Sequence, residues 1–314
     1  MKLVSYKLKK KPGDYRVGII LDGKITDVQD AWKNLMLSHG EKDVVNAIDH
    51  FFPADPNAFF AIGESVMNKA KDAYQYIKEN SGMMEWLTRA EVQLGTPVPN
   101  PAKIICVGKN YAKHAAEMDS DIPEFPVLFS KFANAIIGPE DSIEKSKATE
   151  KLDYEVELAV VIGKEASKVN QVEALDYIAG YTIGNDISAR DLQKRTPQWL
   201  QGKTLDRSTP IGPWIVTSDE VSDPANLAIR SYVNGVERQS SNTSHLIFDI
   251  PFLVEFISDL IRLKPGDIIL TGTPDGVGFA MDPPQFLENG DVVTLEIERI
   301  GRMENKVVEN YFGI

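Results

Sequence analysis

Two glutamates in an acidic, strand-like segment are the residues of this sequence best suited to chemistry. Residues 152–163 read LDYEVELAVVIG, so acidic and apolar residues alternate before the segment becomes wholly apolar. Alternation with a period of two predicts a β-strand, because successive side chains point to opposite faces of a sheet. One face would carry apolar side chains toward a core: Tyr154, Val156 and Leu158. The other face would carry a row of acids: Asp153, Glu155 and Glu157.

The spacing of Glu155 and Glu157 brings their carboxylates to one small volume, where two negative charges repel each other. A hard divalent cation such as Mg2+ or Ca2+ relieves that repulsion. The alternative interpretation is the solvated face of an amphipathic strand, and a third acid from another segment is needed to choose between them. Asp186 is the candidate, because it ends a predicted strand at 178–186. It could instead cap the helical turn that follows.

A histidine and a glutamate three residues apart form the second candidate group. His114 and Glu117 fall in a predicted helix at 112–118, so they share one face and can hydrogen-bond. A carboxylate on one imidazole nitrogen fixes the tautomer and raises the basicity of the other nitrogen, which suits a general base. An ordinary surface pair is the alternative. Lys203 follows a glycine in a short loop, where a lone lysine is usually solvated.

Composition excludes several classes of function. The chain has 314 residues, 43% of them hydrophobic and 25% charged, and its net charge is −12. That charge argues against a nucleic-acid or anionic-membrane partner. The single cysteine, Cys106, excludes an intrachain disulfide and lies in an apolar pattern typical of a core. A single cysteine fits a reducing cytosol, and the first ten residues lack the apolar region of a signal peptide, so a cytoplasmic location is expected.

The elements that must position these residues are read from periodicity and turn residues. The first segment predicts strands at 2–8, 15–21 and 24–28 and helices at 29–38, 43–51 and 64–79. Residues 95–101 read GTPVPNP, and three prolines in five residues favour an extended linker. We therefore predict a small N-terminal α+β domain at 1–98 and the main domain at 99–314.

The main domain is expected to be rich in strands. Strands are predicted at 103–107, 127–131, 152–163, 178–186, 211–216, 227–233, 236–240, 268–270 and 293–298. Asp249 is expected to cap a helix with this buried stripe: Leu253, Phe256, Ile257, Leu260 and Ile261. Residues 119–126 have little secondary-structure signal and are a candidate lid. Residues 271–278 form a glycine-rich loop without the lysine and hydroxyl residue of a phosphate-binding loop, so a nucleotide site is disfavoured.

Taken together, five blocks resemble the fumarylacetoacetate hydrolase superfamily from about residue 101 to the C-terminus. The blocks are VGKNYAKHAAE at 107–117, LDYEVEL at 152–158, NDISARDLQ at 185–193, GK at 202–203 and TGTPDGVG at 271–278. Their number and order make the resemblance specific. It implies an α+β, β-rich fold, a mixed β-sandwich roll with peripheral helices, and a homodimer.

The resemblance also implies roles for individual residues. Three would be ligands of Mg2+ or Mn2+, with Ca2+ a further candidate: Glu155, Glu157 and Asp186. His114 and Glu117 would activate water, and Gln193 and Lys203 would stabilise an oxyanion. Lys109 and Thr273 match positions of substrate contact. Where the namesake enzymes have a further metal-binding aspartate, this chain has Val107, which favours the branch with three carboxylates and shorter substrates.

The expected substrate is therefore a small oxo acid. The leading hypothesis is metal-dependent hydrolysis of a C–C bond in 2,4-dioxo acids such as acylpyruvates or fumarylacetoacetate. The alternatives are decarboxylation of oxaloacetate and isomerisation of 2-hydroxyhepta-2,4-diene-1,7-dioate-type substrates. All three need a polarised oxo group and a nearby base, so the fold alone does not choose among them.

Overall fold

The structure is a computed structural model that describes residues 1–11, 13–221 and 223–309. Strands dominate it. The first nine are β1 Lys2–Leu8, β2 Arg16–Leu21, β3 Lys24–Asp27, β4 Val92–Gly95, β5 Ile104–Gly108, β6 Val127–Lys131, β7 Ile136–Ile137, β8 Ile143–Lys145 and β9 Leu152–Asp153. The remaining described strands are β10 Val156–Ile162, β11 Ile178–Asn185, β12 Ser188–Ala189, β13 Thr209–Thr217, β14 Ala228–Val233, β15 Val236–Asn242, β16 Ile268–Leu270, β17 Val292–Ile297 and β18 Gly301–Glu309.

Helices are fewer and mostly short. The α-helices are α1 Val28–Ser38, α2 Lys42–Asn46, α3 Ile48–Phe51, α4 Pro56–Ile62, α5 Glu64–Glu79, α6 Ala112–Glu117, α7 Arg190–Gln193, α8 Leu200–Lys203 and α9 Ile250–Leu260. The side chain of Asp249 accepts a hydrogen bond from the amide of Phe252, which confirms the predicted cap of α9. No helix in the described ranges is long and apolar enough to cross a membrane.

A large mixed sheet forms the centre of the molecule. Its strands run β3-β2-β1-β13-β11-β10-β16-β5-β6, with β4 beside β1 and β7 beside β13. Strands β10 and β11 are antiparallel neighbours, and Val156 pairs with Asn185. A second sheet has the order β15-β14-β17-β18-β8, and β9 pairs with β12.

Both faces of the large sheet are covered. The even-numbered apolar residues of β10, from Val156 to Ile162, pack in a core that also contains residues of the second sheet and of α9. Ala159 and Val161 point the other way, into a core that includes buried residues of α1, α4 and α5. The strand-rich α+β class predicted from the sequence is confirmed by this architecture.

The N-terminal segment shares this sheet with the rest of the chain. Strand β1 pairs with β13, where Leu3 lies opposite Ile215. This segment also contains a buried carboxylate, that of Asp27. Asp27 Oδ2 accepts hydrogen bonds from Arg16 Nε at 2.6 Å and from the Tyr6 hydroxyl at 2.8 Å. The division into a domain at 1–98 and a domain at 99–314 stays a prediction, and so does the homodimer.

The predicted acidic strand is interrupted at Tyr154 and Glu155. β9 ends at Asp153 and β10 begins at Val156. Between them, the Tyr154 amide donates to Asp153 Oδ1 and the Glu155 amide to Asn185 Oδ1. Side chains thus replace the carbonyls that a continuous strand would use, which is a pattern that residue periodicity does not report.

Other boundaries also differ from the prediction. The helix predicted at 43–51 is two short helices, and β18 was not predicted. On α9 the buried residues include Leu253 and Ile257, but Leu260 is 65% exposed and Ile261 is 40% exposed. Leu260 is the last residue of the helix, and Ile261 has an extended backbone after the helix ends.

Candidate active site

Three carboxylates converge at one end of the β10–β11 pair. Glu155 immediately precedes β10, Glu157 lies within it, and Asp186 immediately follows β11. Because Val156 pairs with Asn185, the antiparallel register sets Glu155 opposite Asp186, whose amide donates to the Glu155 carbonyl at 2.9 Å. One carboxylate oxygen from each acid lies within 4.8 Å of the others. The sheet thus supplies the third acid that the sequence pattern required.

These acids are buried rather than solvated. Glu155 is 4% exposed, Glu157 2% and Asp186 0%. The alternative of a solvated strand face is therefore wrong, and so is the capping role for Asp186, whose side-chain oxygens contact two lysines. Ionised carboxylates are rarely buried without partners.

Three cations surround two of the acids. Lys203 Nζ lies 2.7 Å from both Glu155 Oε2 and Asp186 Oδ2. Lys131 Nζ contacts Asp186 Oδ1 at 2.7 Å, and Arg190 Nη2 contacts Glu155 Oε1 at 2.8 Å. All four oxygens of Glu155 and Asp186 therefore face a positive group. Lys203 is 2% exposed, so the interpretation as a solvated surface lysine is wrong.

The cations change how the site titrates. Burial alone would raise the pKa of Glu155, but the charges of Lys203 and Arg190 outweigh burial and hold that pKa well below its usual range. Burial by itself would lower the pKa of Lys203, but the charges of Asp186 and Glu155 outweigh burial and raise that pKa. Both groups are thus ionised at neutral pH, as a buried ion pair requires.

Glu157 differs from the other two acids, because no lysine, arginine or histidine in the described part of the chain forms an ion pair with it. Its Oε2 accepts a hydrogen bond from the Gly272 amide at 2.8 Å. Burial, followed by the charges of Asp186 and Glu155, raises the pKa of Glu157 well above its usual value. A divalent ion beside Glu157 would remove this deficit of positive charge. Three oxygen ligands that converge and leave other positions open fit Mg2+ or Mn2+, so the cluster is a candidate divalent-metal site.

The histidine–glutamate pair stands next to this cluster. His114 Nδ1 lies 2.7 Å from Glu117 Oε1. Glu117 Oε2 accepts a hydrogen bond from the Gly276 amide at 2.8 Å, which connects α6 to the glycine-rich loop. Because the carboxylate holds the Nδ1 proton, the lone pair is assigned to Nε2. His114 is 6% exposed, so it is not an ordinary surface residue.

A small cavity of about 50 Å3 unites the candidate residues. Eight of the nine residues singled out in the sequence line it: Lys109, His114, Glu155, Glu157, Asp186, Gln193, Lys203 and Thr273. The ninth, Glu117, is in contact with His114. Their proximity is a structural fact, whereas their catalytic roles stay predictions.

Several residues of the site carried no signal of their own in the sequence. Lys131 is a lone lysine at the end of β6, and Trp199 and Phe129 are aromatic residues of the cavity wall. Arg190 lies in the motif at 185–193 but was not assigned a role. It joins Asp153 through Nε at 2.8 Å and donates from Nη1 to Gln193 Oε1 at 3.1 Å. Asp153 therefore holds Arg190 in place and is not one of the three acids that converge.

Comparison with known proteins agrees with this geometry. The family model described as fumarylacetoacetate (FAA) hydrolase C-terminal matches residues 103–308. A curated relative from Xenopus laevis, oxaloacetate tautomerase fahd2, mitochondrial, is 40% identical over 312 residues, covering 98% of this chain and 90% of that protein.

Two solved structures extend the comparison. The 5-carboxymethyl-2-hydroxymuconate delta-isomerase from Mycobacterium smegmatis has a TM-score of 0.72 and 33% identity, covering 99% of this chain and 100% of that one. Maleylpyruvate hydrolase from Sphingobium sp. SYK-6, in complex with manganese(II) ion and pyruvate, has a TM-score of 0.76 and 28% identity, covering 98% of this chain and 99% of that one.

One expectation is corrected by these relatives. The cytoplasmic location expected from the single cysteine and the lack of a signal peptide is wrong, because the Xenopus laevis relative and further oxaloacetate tautomerases similar to this chain are named as mitochondrial proteins. Neither a single cysteine nor the lack of a secretory signal distinguishes the cytoplasm from the mitochondrion.

The family match, the relative that spans nearly the whole chain and the convergence of the five sequence blocks on one cavity agree with each other. This chain belongs to the fumarylacetoacetate hydrolase family.

Proposed function

We propose that this protein is a divalent-metal-dependent enzyme that interconverts the keto and enol forms of oxaloacetate. The observation that carries the proposal is the imidazole–carboxylate dyad of His114 and Glu117 beside three buried carboxylates in one small cavity. Moving a proton between a carbon and an oxygen needs one base and one group that polarises the oxo oxygen. The name of the Xenopus laevis relative supports oxaloacetate as the substrate.

Glu155, Glu157 and Asp186 would hold the ion, with Mg2+ or Mn2+ as the preferred candidates and Ca2+ as a further one. When bound, the ion supplies Lewis acidity that polarises the 2-oxo group of the substrate. The Sphingobium maleylpyruvate hydrolase, in complex with manganese(II) ion and pyruvate, supports both the ion and a 2-oxo acid as ligand.

His114 is the proposed base. Its Nε2 takes a proton from carbon 3 of keto-oxaloacetate, the electron pair of that C–H bond forms the C2–C3 double bond, and negative charge moves to the oxo oxygen. The imidazolium then returns the proton to that oxygen and gives the enol, so no atom is gained or lost. Glu117 stabilises the imidazolium that forms between the two transfers.

Hydrogen-bond donors would hold the oxygen while it carries charge. Lys203 lies between two of the acids, and Gln193 and Thr273 line the same cavity. A preorganised donor of this kind contributes about 3 kcal/mol to the stabilisation of the transition state. Lys109, also in the cavity wall, is proposed to pair with a carboxylate of the substrate.

Hydrolysis of a C–C bond is the second candidate function. It is favoured by the maleylpyruvate hydrolase neighbour, and the same dyad could take a proton from water instead of carbon. Isomerisation of a dienoic acid is related to tautomerisation, since it also moves a proton without adding water, and the Mycobacterium smegmatis neighbour carries that name.

The test is a comparison of substrates on the Mn2+-loaded protein. Tautomerisation is followed by the ultraviolet absorbance of enol-oxaloacetate, decarboxylation by pyruvate formation, and hydrolysis by release of two acids from acetylpyruvate. We expect fast tautomerisation, its loss in H114A with Mn2+ binding kept, and wild-type rates in K113A, which changes an exposed residue of the same helix. Hydrolysis without tautomerisation would select the second candidate, and full activity in H114A would reject the dyad.

A further inference from the structure

The Thr273 hydroxyl accepts a hydrogen bond from a buried glutamine that carried no signal in the sequence. Gln239 lies on β15 in the second sheet and is 0% exposed. Its Nε2 donates to Thr273 Oγ1 at 2.7 Å and to the Pro274 carbonyl at 2.8 Å. Its Oε1 accepts from the Val156 amide at 3.0 Å and from the Ser231 hydroxyl at 2.9 Å. Gln239 thus uses its full hydrogen-bonding capacity inside the protein.

The chemistry of these partners fixes the orientation of the Gln239 amide. The backbone amide of Val156 can only donate, so the atom facing it is the oxygen. The carbonyl of Pro274 can only accept, so the atom facing it is the nitrogen. The nitrogen therefore donates to Thr273 Oγ1, and the Thr273 proton must point away from Gln239. Among residues 1–11, 13–221 and 223–309, that proton has no acceptor, while Thr273 lines the cavity.

We propose that Gln239 is a positioning residue that makes the Thr273 hydroxyl a hydrogen-bond donor toward the ligand. A hydroxyl can otherwise rotate and present either a proton or a lone pair. Fixed as a donor, it favours a ligand atom that only accepts, such as a carboxylate or enolate oxygen, and disfavours an amide or hydroxyl donor. The inference deepens the proposed function, on which it rests for the 2-oxo acid class of the ligand.

Gln193, which lines the same cavity, shows a similar arrangement. Arg190 Nη1 donates to Gln193 Oε1, and a guanidinium cannot accept. Gln193 must therefore offer the cavity its Nε2, which is also a donor. The two uncharged polar side chains named at this site thus present the same polarity, each because a buried partner allows only one orientation.

A double-mutant cycle on the Mn2+-loaded, full-length protein tests the proposal, with pyruvate as the probe and Kd measured by calorimetry. We expect T273V to bind pyruvate about tenfold more weakly, because a donor to a charged group is lost. Q239M should weaken binding severalfold, and Q239M/T273V should bind no more weakly than T273V. T273S keeps the hydroxyl and should recover most of the binding that T273V loses, and Q239M in that background should weaken it again.

The controls separate positioning from general stability. S231A removes a buried partner of Gln239 without touching Thr273, so it should lower Tm yet leave pyruvate binding unchanged. Independent effects that multiply in the double mutant, wild-type binding in Q239M, or wild-type protein that does not bind pyruvate would overturn the proposal. Loss of Mn2+ affinity in Q239M would also overturn it, by assigning Gln239 to the support of Val156. Pyruvate binding does not require turnover, so a failure of the tautomerase proposal is recognised separately.

Discussion

Replacing Lys203 with methionine should destabilise the metal-free protein and make its stability depend on Mn2+. The Lys203 ammonium lies 2.7 Å from an oxygen of both Glu155 and Asp186, and all three side chains are buried. Without it the two carboxylates would face each other across the site. Arg190 and Lys131 remain on their other oxygens, so the site loses a cation that pairs with both acids.

The size of the effect follows from the response of the site that costs the least free energy. In K203M, one carboxylate can take up a proton at pH 7, nearly three pH units above its ordinary pKa, at a cost of about 4 kcal/mol. This agrees with the range of about 3–5 kcal/mol for removing one partner of a buried ion pair. For a chain of this size, about 4 kcal/mol corresponds to a fall in Tm of about 6 °C.

Thermal unfolding in EDTA and in saturating MnCl2 provides the assay. Mn2+ should raise the Tm of K203M more than that of wild type, because in wild type the ion enters a site where an ammonium already compensates the acids. K113M, which removes an exposed lysine from α6, serves as the matched control. A metal-free K203M that melts within about 2 °C of wild type, or an equal Mn2+ effect in both proteins, would refute the reasoning.

Three further predictions concern the dyad, the metal site and its scaffold. In E117Q the hydrogen bond from Gly276 can persist, but the charge that stabilises the His114 imidazolium is lost. Turnover in steady-state kinetics should therefore fall about 100-fold, while the Mn2+ affinity measured by calorimetry stays constant. An unchanged rate would show that Glu117 is not needed for catalysis. Because burial and the neighbouring acids raise the pKa of Glu157, Mn2+ binding at pH 7 should release protons, and calorimetry in buffers of different ionisation enthalpy measures them; binding without proton release contradicts the raised pKa. Asn110 is buried and its side chain hydrogen-bonds to the Phe248 amide and to the carbonyls of Phe248 and Thr271. N110L should therefore lower the free energy of unfolding, measured in urea, by about 3 kcal/mol. A loss under about 1 kcal/mol would mean that those backbone groups find other partners.

Local spacing was sufficient to predict which candidate site residues lie side by side. Two-residue spacing predicted that Glu155 and Glu157 converge, although Glu155 immediately precedes β10, and three-residue spacing predicted the contact of His114 with Glu117. Both rules depend only on backbone geometry, which the sequence reports over a few residues. For the same reason, α5 and β16 were predicted with their observed ends.

The supporting groups could not be predicted because they come from distant positions. Lys131 meets Asp186 from 55 residues away, and Gln239 meets Val156 from 83 residues away. No periodic pattern marks a lone lysine or glutamine, and their partners are decided by which strands become neighbours. The same limit applies to the break before β10, where side-chain acceptors replace the carbonyls of a strand ladder.

The three acids of the candidate metal site lie within or directly beside the adjacent antiparallel strands β10 and β11. The dyad, the donors and the rest of the cavity wall come from β5, β6, α6, α7, α8 and the loop after β16. Mutation can therefore change the residues that would recognise the substrate and leave the three acids unchanged. A gene copy free to diverge would keep its ion while exploring new reactions. That separation offers a physical reason why relatives with this architecture carry the names tautomerase, isomerase and hydrolase.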